Sequence, residues 1–297
     1  MDNLDSLRRK IEGAKDIKSV VRTMKAVAAS NIGQFEMAVD SLGDYYHTIA
    51  LGLIAYFRAE KIEVPKDKPK QKSEKMIFAI VFGSDQGLVG SFNDSLAEFV
   101  SGFLSVQPGT KEIWAVGERV QLLLSDMGFN TTKKFAVPGS IKAISPLVGE
   151  ILIKSMENHE KEHLNEFYIF HNQPREGSGY LAVRQRMLPL DDKWKQEFIG
   201  VSWPAKQLPQ VAGGVKPTLS ALIREYLFVS LFKACAESLA SENASRLAAM
   251  QRADKNIEEV LDDLNNNYRR LRQSSIDEEL FDVISGFEAL KKKDGSH

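Results

Sequence analysis

The chain has 297 residues, 43% of them apolar and 27% charged, and a net charge of −1. That is enough apolar material for about two packed domains. The balanced charge gives no electrostatic case for nucleic acid, the single cysteine, Cys235, excludes an internal disulfide, and no apolar run approaches the ~18 residues of a membrane-spanning helix. The opening residues, MDNLDSLRRKIEG, lack the apolar core of a secretory signal and the arginine- and serine-rich look of a transit peptide. The expectation is a soluble chain that can still sit on a membrane complex.

Residues 1–60 read as one long helix, since the first proline is Pro65. Leu7, Ala14, Val21, Ala28, Phe35, Leu42, Ile49 and Tyr56 recur at heptad spacing, with a second line of Leu4, Ile11, Ile17, Met24, Ile32, Val39, Tyr46 and Leu53 beside them. An apolar stripe held at a period of ~3.5 residues predicts a left-handed coiled coil. Ala26, Ala28, Ala29, Ser30 and Gly33 let a second helix come close. Residues 61–75 are rich in lysine and proline and read as a solvated linker.

Residues 76–216 change character. MIFAIVF, closed by Gly83, is a buried-strand signal. Further strands are expected over Glu112–Val116, Asn165–Phe170 and Leu181–Leu190, with Pro174, Gly177 and Gly179 turning between the last two. Helices are expected over Leu88–Leu104, Glu118–Met127 and Pro146–His163. This alternation predicts an α/β domain, a parallel or mixed sheet covered by helices, inserted between two long helices.

Residues 217–290 are the second rod. No proline follows Pro217 and no glycine appears before Gly286. Leu219, Leu222, Ile223, Tyr226 and Leu227 recur at helical spacing, and Met250, Ile257, Leu264 and Leu271 at heptad spacing. The alanines Ala234, Ala236, Ala240, Ala244 and Ala248 suit the small residues of the first rod. Both rods leave the same insert, so they are expected to pair antiparallel. At the helical rise they are ~80 Å and ~110 Å long, which leaves the second overhanging by roughly 30 Å, about Gln273 to Leu290. There Ile276, Leu280, Phe281, Val283, Ile284, Phe287 and Leu290 spread around half the helix. So apolar a tip asks for a socket on another protein. Residues 291–297, KKKDGSH, are expected to be a disordered polar tail.

The chemical motifs are thin. FGSDQGLVGSFN joins a strand to a helix, but Gly83, Gly87 and Gly90 do not match dinucleotide spacing and no lysine stands where a phosphate loop needs one. Asp85 puts negative charge there instead. The reading is a tight turn with no bound nucleotide. His159 to His163 spells H-E-x-x-H, in which two histidines on one helix face hold zinc. Its surroundings are polar on every side, and no third ligand stands out, so it reads as a solvated helix end. Cys235 has no histidine partner and reads as a packing residue. The pairs Glu258/Glu259 and Asp262/Asp263 read as a solvated or partner-facing side of the rod. No catalytic, cofactor or metal residue is assigned.

TMKAVAAS, VFGSDQGLVGSFN, ASENASRLAAMQRADKN and NYRRLRQSSIDEELFDVISGFEAL, in this order, resemble the signature stretches of the gamma subunit of F-type ATP synthases. The resemblance covers nearly the whole chain, is weakest from Phe135 to Val215 and is most specific at the C-terminal end. It implies an antiparallel coiled coil of the terminal helices around a Rossmann-like domain. It also implies a mechanical role. The coiled coil would turn inside a ring of alternating alpha and beta subunits, which hold the nucleotide sites. The inserted domain would stand with the epsilon subunit on the membrane ring of c subunits, so that ion flow drives ATP synthesis. Such a chain performs no catalysis, holds no cofactor and is not itself inserted in the membrane. By residue-level match, Met24, Arg246, Arg272, Gln273 and Glu279 fall at rotor positions that contact the hexamer. NIGQFEMA stands after TMKAVAAS where the family is usually basic, and the redox cysteine pair of the chloroplast form is absent. These features suggest a bacterial, somewhat divergent member, peripheral on the cytoplasmic face of the inner membrane. Two other classes fit parts of the sequence: a self-associating coiled-coil scaffold and an enzyme built on the α/β domain.

Overall fold

A computed structural model describes residues 3–60, 76–162, 166–175, 179–189 and 215–294. The elements run α1 (Leu4–Glu60), β1 (Met76–Phe82), α2 (Phe92–Ser105), β2 (Thr110–Val116), α3 (Glu118–Asp126), β3 (Thr131–Phe135), α4 (Ile141–Glu162), β4 (Glu166–Pro174), β5 (Tyr180–Leu188) and α5 (Val215–Asp294). The fold is α/β with two long terminal helices, of 57 and 80 residues. The chain divides into two compact units, one of Ala28–Leu247 and one of Met1–Val27 with Ala248–His297.

The larger unit holds a five-stranded sheet in the order β3-β2-β1-β4-β5. All its pairs are parallel except β4 with β5. Alternate residues of each strand serve opposite faces, which builds two cores. Ile77, Ala79, Val81, Ile113, Ala115 and Phe170 meet α2 and α3 through Leu96, Val100, Leu104, Val120 and Leu124. Phe78, Ile80, Phe82, Trp114, Val116 and Ile169 meet Ile144, Val148 and Ile151 of α4, and also Phe35, Ile49 and Leu53 of α1 and Tyr226, Phe232 and Ala236 of α5. Phe78 and Trp114 pack edge to face with ring centroids 4.6 Å apart. The segments of the long helices that belong to this unit therefore act as one covering layer of the sheet.

Several expected boundaries move. Helix α5 starts at Val215, just ahead of the expected 217, so Pro217 lies in its first turn; a proline there removes an N–H that has no helical partner anyway. The helix around Pro146 starts earlier, at Ile141, with the proline inside it. Leu88 is not helical: it has φ 61° in the turn before α2. Strand β3 is absent from the expected elements because TTKKF is polar and only Phe135 is buried. It is held at the sheet edge by pairing with β2 and by Lys133, whose ammonium lies 4.2 Å from the Trp114 ring centre. Helix α5 continues through Asp294, so the expected disordered tail is helical at Lys291–Asp294, and only 295–297 lie outside the described residues. The expected linker, 61–75, lies outside them altogether.

In the smaller unit, α1 opens on Asn3, whose side chain accepts a bond from the Ser6 amide at 2.8 Å, the geometry of a helix cap. Leu7, Ile11 and Val21 of α1 and Met250 and Leu261 of α5 are buried. Lys18 reaches Glu258 at 2.7 Å, and Lys25 reaches Asp254 at 2.8 Å. Residue numbers rise on one helix as they fall on the other, so the pair is antiparallel. Ile17 is 59% exposed, against expectation. A strict heptad from Leu4 and Ile11 passes through Lys18 and Lys25, not Ile17 and Met24, and those lysines fill the seam by bridging to acids. A polar layer in an otherwise apolar seam fixes register.

Candidate functional site

In open α/β sheets, ligands bind beyond the carboxyl ends of the strands, where the strand order reverses. Here that point lies between β1 and β4. The turn after β1 is tightly cross-braced. The Ser84 amide donates to Asn93 Oδ1 at 2.9 Å, and Asn93 Nδ2 donates back to Ser84 Oγ at 2.8 Å. Gly117, at φ 114°, lets this turn close against β2, since a Cβ there would lie 2.7 Å from the Ser84 carbonyl oxygen. Asp85 Oδ1 accepts from the Glu118 amide at 3.0 Å, and Oδ2 accepts from Val137 at 2.9 Å. A carboxylate thus already occupies the N-terminus of α3, the position a phosphate would take.

The crevice itself is filled by α5. Ser238 Oγ donates to the Phe82 carbonyl at 2.9 Å, Ser241 Oγ to that of Asn172 at 3.0 Å, and Ser245 Oγ to that of Val89 at 2.5 Å. Beside them, buried His171 of β4 bonds Glu237 through Nε2 at 2.8 Å, and Gln173 donates to the same carboxylate at 3.2 Å. Burial pushes the Glu237 carboxyl up, but His171, Lys233 and Gln173 outweigh it and hold the group below its ordinary value. Glu242, one turn on, is raised by burial despite Arg246 at 2.7 Å. The one sequence signal for these residues is that Ser238, Ser241 and Ser245 form a stripe on one helix face, a pattern that marks a polar docking line. Cys235 is buried nearby and its thiol is pushed up by burial.

The residues singled out from sequence fall in both units. Arg246 is nearly buried and bound to Glu242 within the larger unit. Met24 is half-buried in the smaller unit, while Arg272, Gln273 and Glu279 are exposed there. Carried on at the register of Lys18 and Glu258, Leu4 comes opposite Arg272, so α5 outruns its partner from about that point. Beyond it Ile276, Leu280, Phe281, Val283 and Ile284 are 52%, 57%, 70%, 71% and 48% exposed. The side chains of Phe287 and Leu290 lie outside the described residues, as do those of His159 and His163 in the H-E-x-x-H run. Among the described residues no cluster of histidine, cysteine and acids could hold a metal, and no helix is long and apolar enough to cross a membrane.

A family model described as ATP synthase matches residues 3–290. The ATP synthase gamma chain of Pelagibacter ubique is 27% identical over 98% of this chain and all of its own length. That of Streptococcus suis is 26% identical, covering 97% of this chain and 99% of its own. This chain belongs to the ATP synthase gamma family. Its fold is also that of a chain in the Euglena gracilis mitochondrial ATP synthase F1/c-ring assembly, with a TM-score of 0.64 at 16% identity, covering 97% of this chain and 94% of that one. A chain of the rotor of the same enzyme gives 0.60 at 14% identity, covering 92% and 98%. For a gamma chain, the crevice that other α/β proteins use for ligands has become the seat of one of its own long helices.

Proposed function

We propose that this gamma-type chain is the central rotor shaft of a bacterial ATP synthase, a non-catalytic subunit that couples ion movement through a membrane ring of c subunits to nucleotide turnover in an alpha/beta hexamer. The observation that carries the reading is the antiparallel helix pair of the smaller unit and the exposed apolar stretch of α5 beyond it among the described residues. A helix end with Phe281 and Val283 about seven-tenths exposed is costly in water. It suits an apolar sleeve at the centre of the hexamer. Dispersion and hydrophobic contact are non-directional, so such a sleeve holds a tip without pinning it at one angle. Torque passes instead through polar contacts at Arg272, Gln273 and Glu279, and at Met24 of α1, which the Lys25–Asp254 bridge places well below them along the pair. Shaft contacts that differ with angle stabilise different beta-subunit conformations in turn, and nucleotide affinity follows. The inserted domain stands with the epsilon subunit on the membrane ring, on the cytoplasmic face of the inner membrane.

Reconstituted complexes test this reading. Burial of Phe281 in the sleeve contributes about 1.5–3 kcal/mol, so Phe281→Ala, like Phe287→Ala, lowers the yield of assembled complex and spares turnover per complex. Arg272→Ala assembles normally but pumps fewer ions per ATP. Normal assembly with lost coupling in Phe281→Ala would show that the tip itself transmits torque and overturn the sleeve.

A further inference from the structure

Parallel strands end in carbonyls that the sheet itself leaves open. At the ends of β1 and β4 these groups are met by side chains of α5. Ser238, Ser241 and Ser245 stand at i, i+3 and i+7, so they share one line along the helix. Their bonds reach three separate parts of the domain: Phe82 at the end of β1, Asn172 near the end of β4, and Val89 in the turn before α2. Glu237 adds a fourth attachment, to His171 and Gln173. Asn172 in turn donates to the Phe92 carbonyl at 2.9 Å, tying β4 to the start of α2.

We infer that this line is the torque joint of the rotor, where twist applied to the α/β domain enters the shaft helix. The inference rests on the rotor reading above. Val229, Phe232 and Leu239 add apolar contact between α5 and the sheet, and apolar contact resists turning only weakly. Hydrogen bonds are directional. Turning α5 by one residue, ~100° about its axis, breaks all four attachments together and leaves buried carbonyls and the Glu237 carboxylate unpaired. The joint therefore has one angular setting. Three different parts of the domain share the load, so no single strand end carries the twist alone.

The test uses the whole ATP synthase carrying this chain, reconstituted in liposomes. The variants are Ser238→Ala with Ser241→Ala, Glu237→Ala and the conservative Glu237→Gln, which keeps an acceptor for His171. Two quantities are read on assembled complexes: ATP hydrolysis without an ion gradient, and ions pumped per ATP against one. The double serine variant and Glu237→Ala keep unloaded hydrolysis within about twofold, lose at least threefold in ions pumped per ATP under load, and Glu237→Gln restores most of that loss. If the double variant fails to assemble, Ser241→Ala alone carries the same comparison. Assembled variants that pump at the wild-type ratio overturn the joint, because a merely structural role lowers yield and leaves the ratio unchanged. A wild-type chain that gives no coupled complex overturns the rotor reading, and the joint with it.

Discussion

Removing the His171 imidazole strands a buried carboxylate. Glu237 is 6% exposed and His171 3%, so water reaches either group only through the cleft that both help to line. In His171→Ala, Glu237 keeps only Gln173 at 3.2 Å and Lys233 at 3.8 Å. Breaking a buried pair from one side costs about 3–5 kcal/mol, and the two remaining partners reduce that to about 2–4 kcal/mol. The sign of the pH dependence follows from the causes. In the native chain the Glu237 carboxyl is depressed, so its contribution is present above the ordinary carboxylate value and is lost as pH falls through the lower, folded value. Without His171, burial dominates and the carboxyl rises. Its neutral form is then favoured in the fold, and stability is lost as pH rises through the raised value. His171→Ala is therefore more destabilising at neutral pH than near pH ~4.5. Urea unfolding of the full chain, followed by circular dichroism at both pH values, measures this. A cycle with Glu237→Ala should give a coupling of about 1–3 kcal/mol. Additive single variants, or a cost independent of pH, would refute the reasoning.

Gly117→Ala forces a side chain into φ 114° and against the Ser84 backbone, so it should lower stability by about 1–3 kcal/mol or more; an unchanged melting temperature counts against the crevice geometry. Trp114→Ala, at a fully buried site, should cost about 3–5 kcal/mol in the same assay. Titration of the full chain with ATP or NAD in a calorimeter should give no heat of specific binding, because the α5 serines fill the crevice and Asp85 holds the N-terminus of α3; a micromolar dissociation constant would contradict that. A chain ending at Leu290 should assemble and couple like the full chain, since KKKDGSH is polar and follows the apolar stretch of α5, and a coupling defect on truncation would show otherwise.

The two cores were legible because local periods wrote them: heptads along the rods, and alternation along MIFAIVF and its neighbours. Leu7, Val21, Phe35 and Ile49, chosen from spacing alone, are buried, and Leu42 is half-buried. What failed needed information from across the chain. Strand β3 is polar and exists because β2 offers it an edge. Lys18 and Lys25 sit in an apolar register because acids on the other helix neutralise them, and spacing alone moved the stripe onto Ile17. The serines of α5 are ordinary helix residues until the strand ends that they satisfy are known.

The central claim is that this chain turns inside an alpha/beta hexamer. Co-expression with alpha and beta subunits, followed by single-molecule imaging of a probe fixed to the α/β domain, tests it most directly. The account predicts a single copy of this chain per hexamer and stepwise rotation of the probe in one direction when ATP is added. A hexamer that hydrolyses ATP with the chain bound and the probe still, or a chain recovered only as self-associated oligomers, would contradict it.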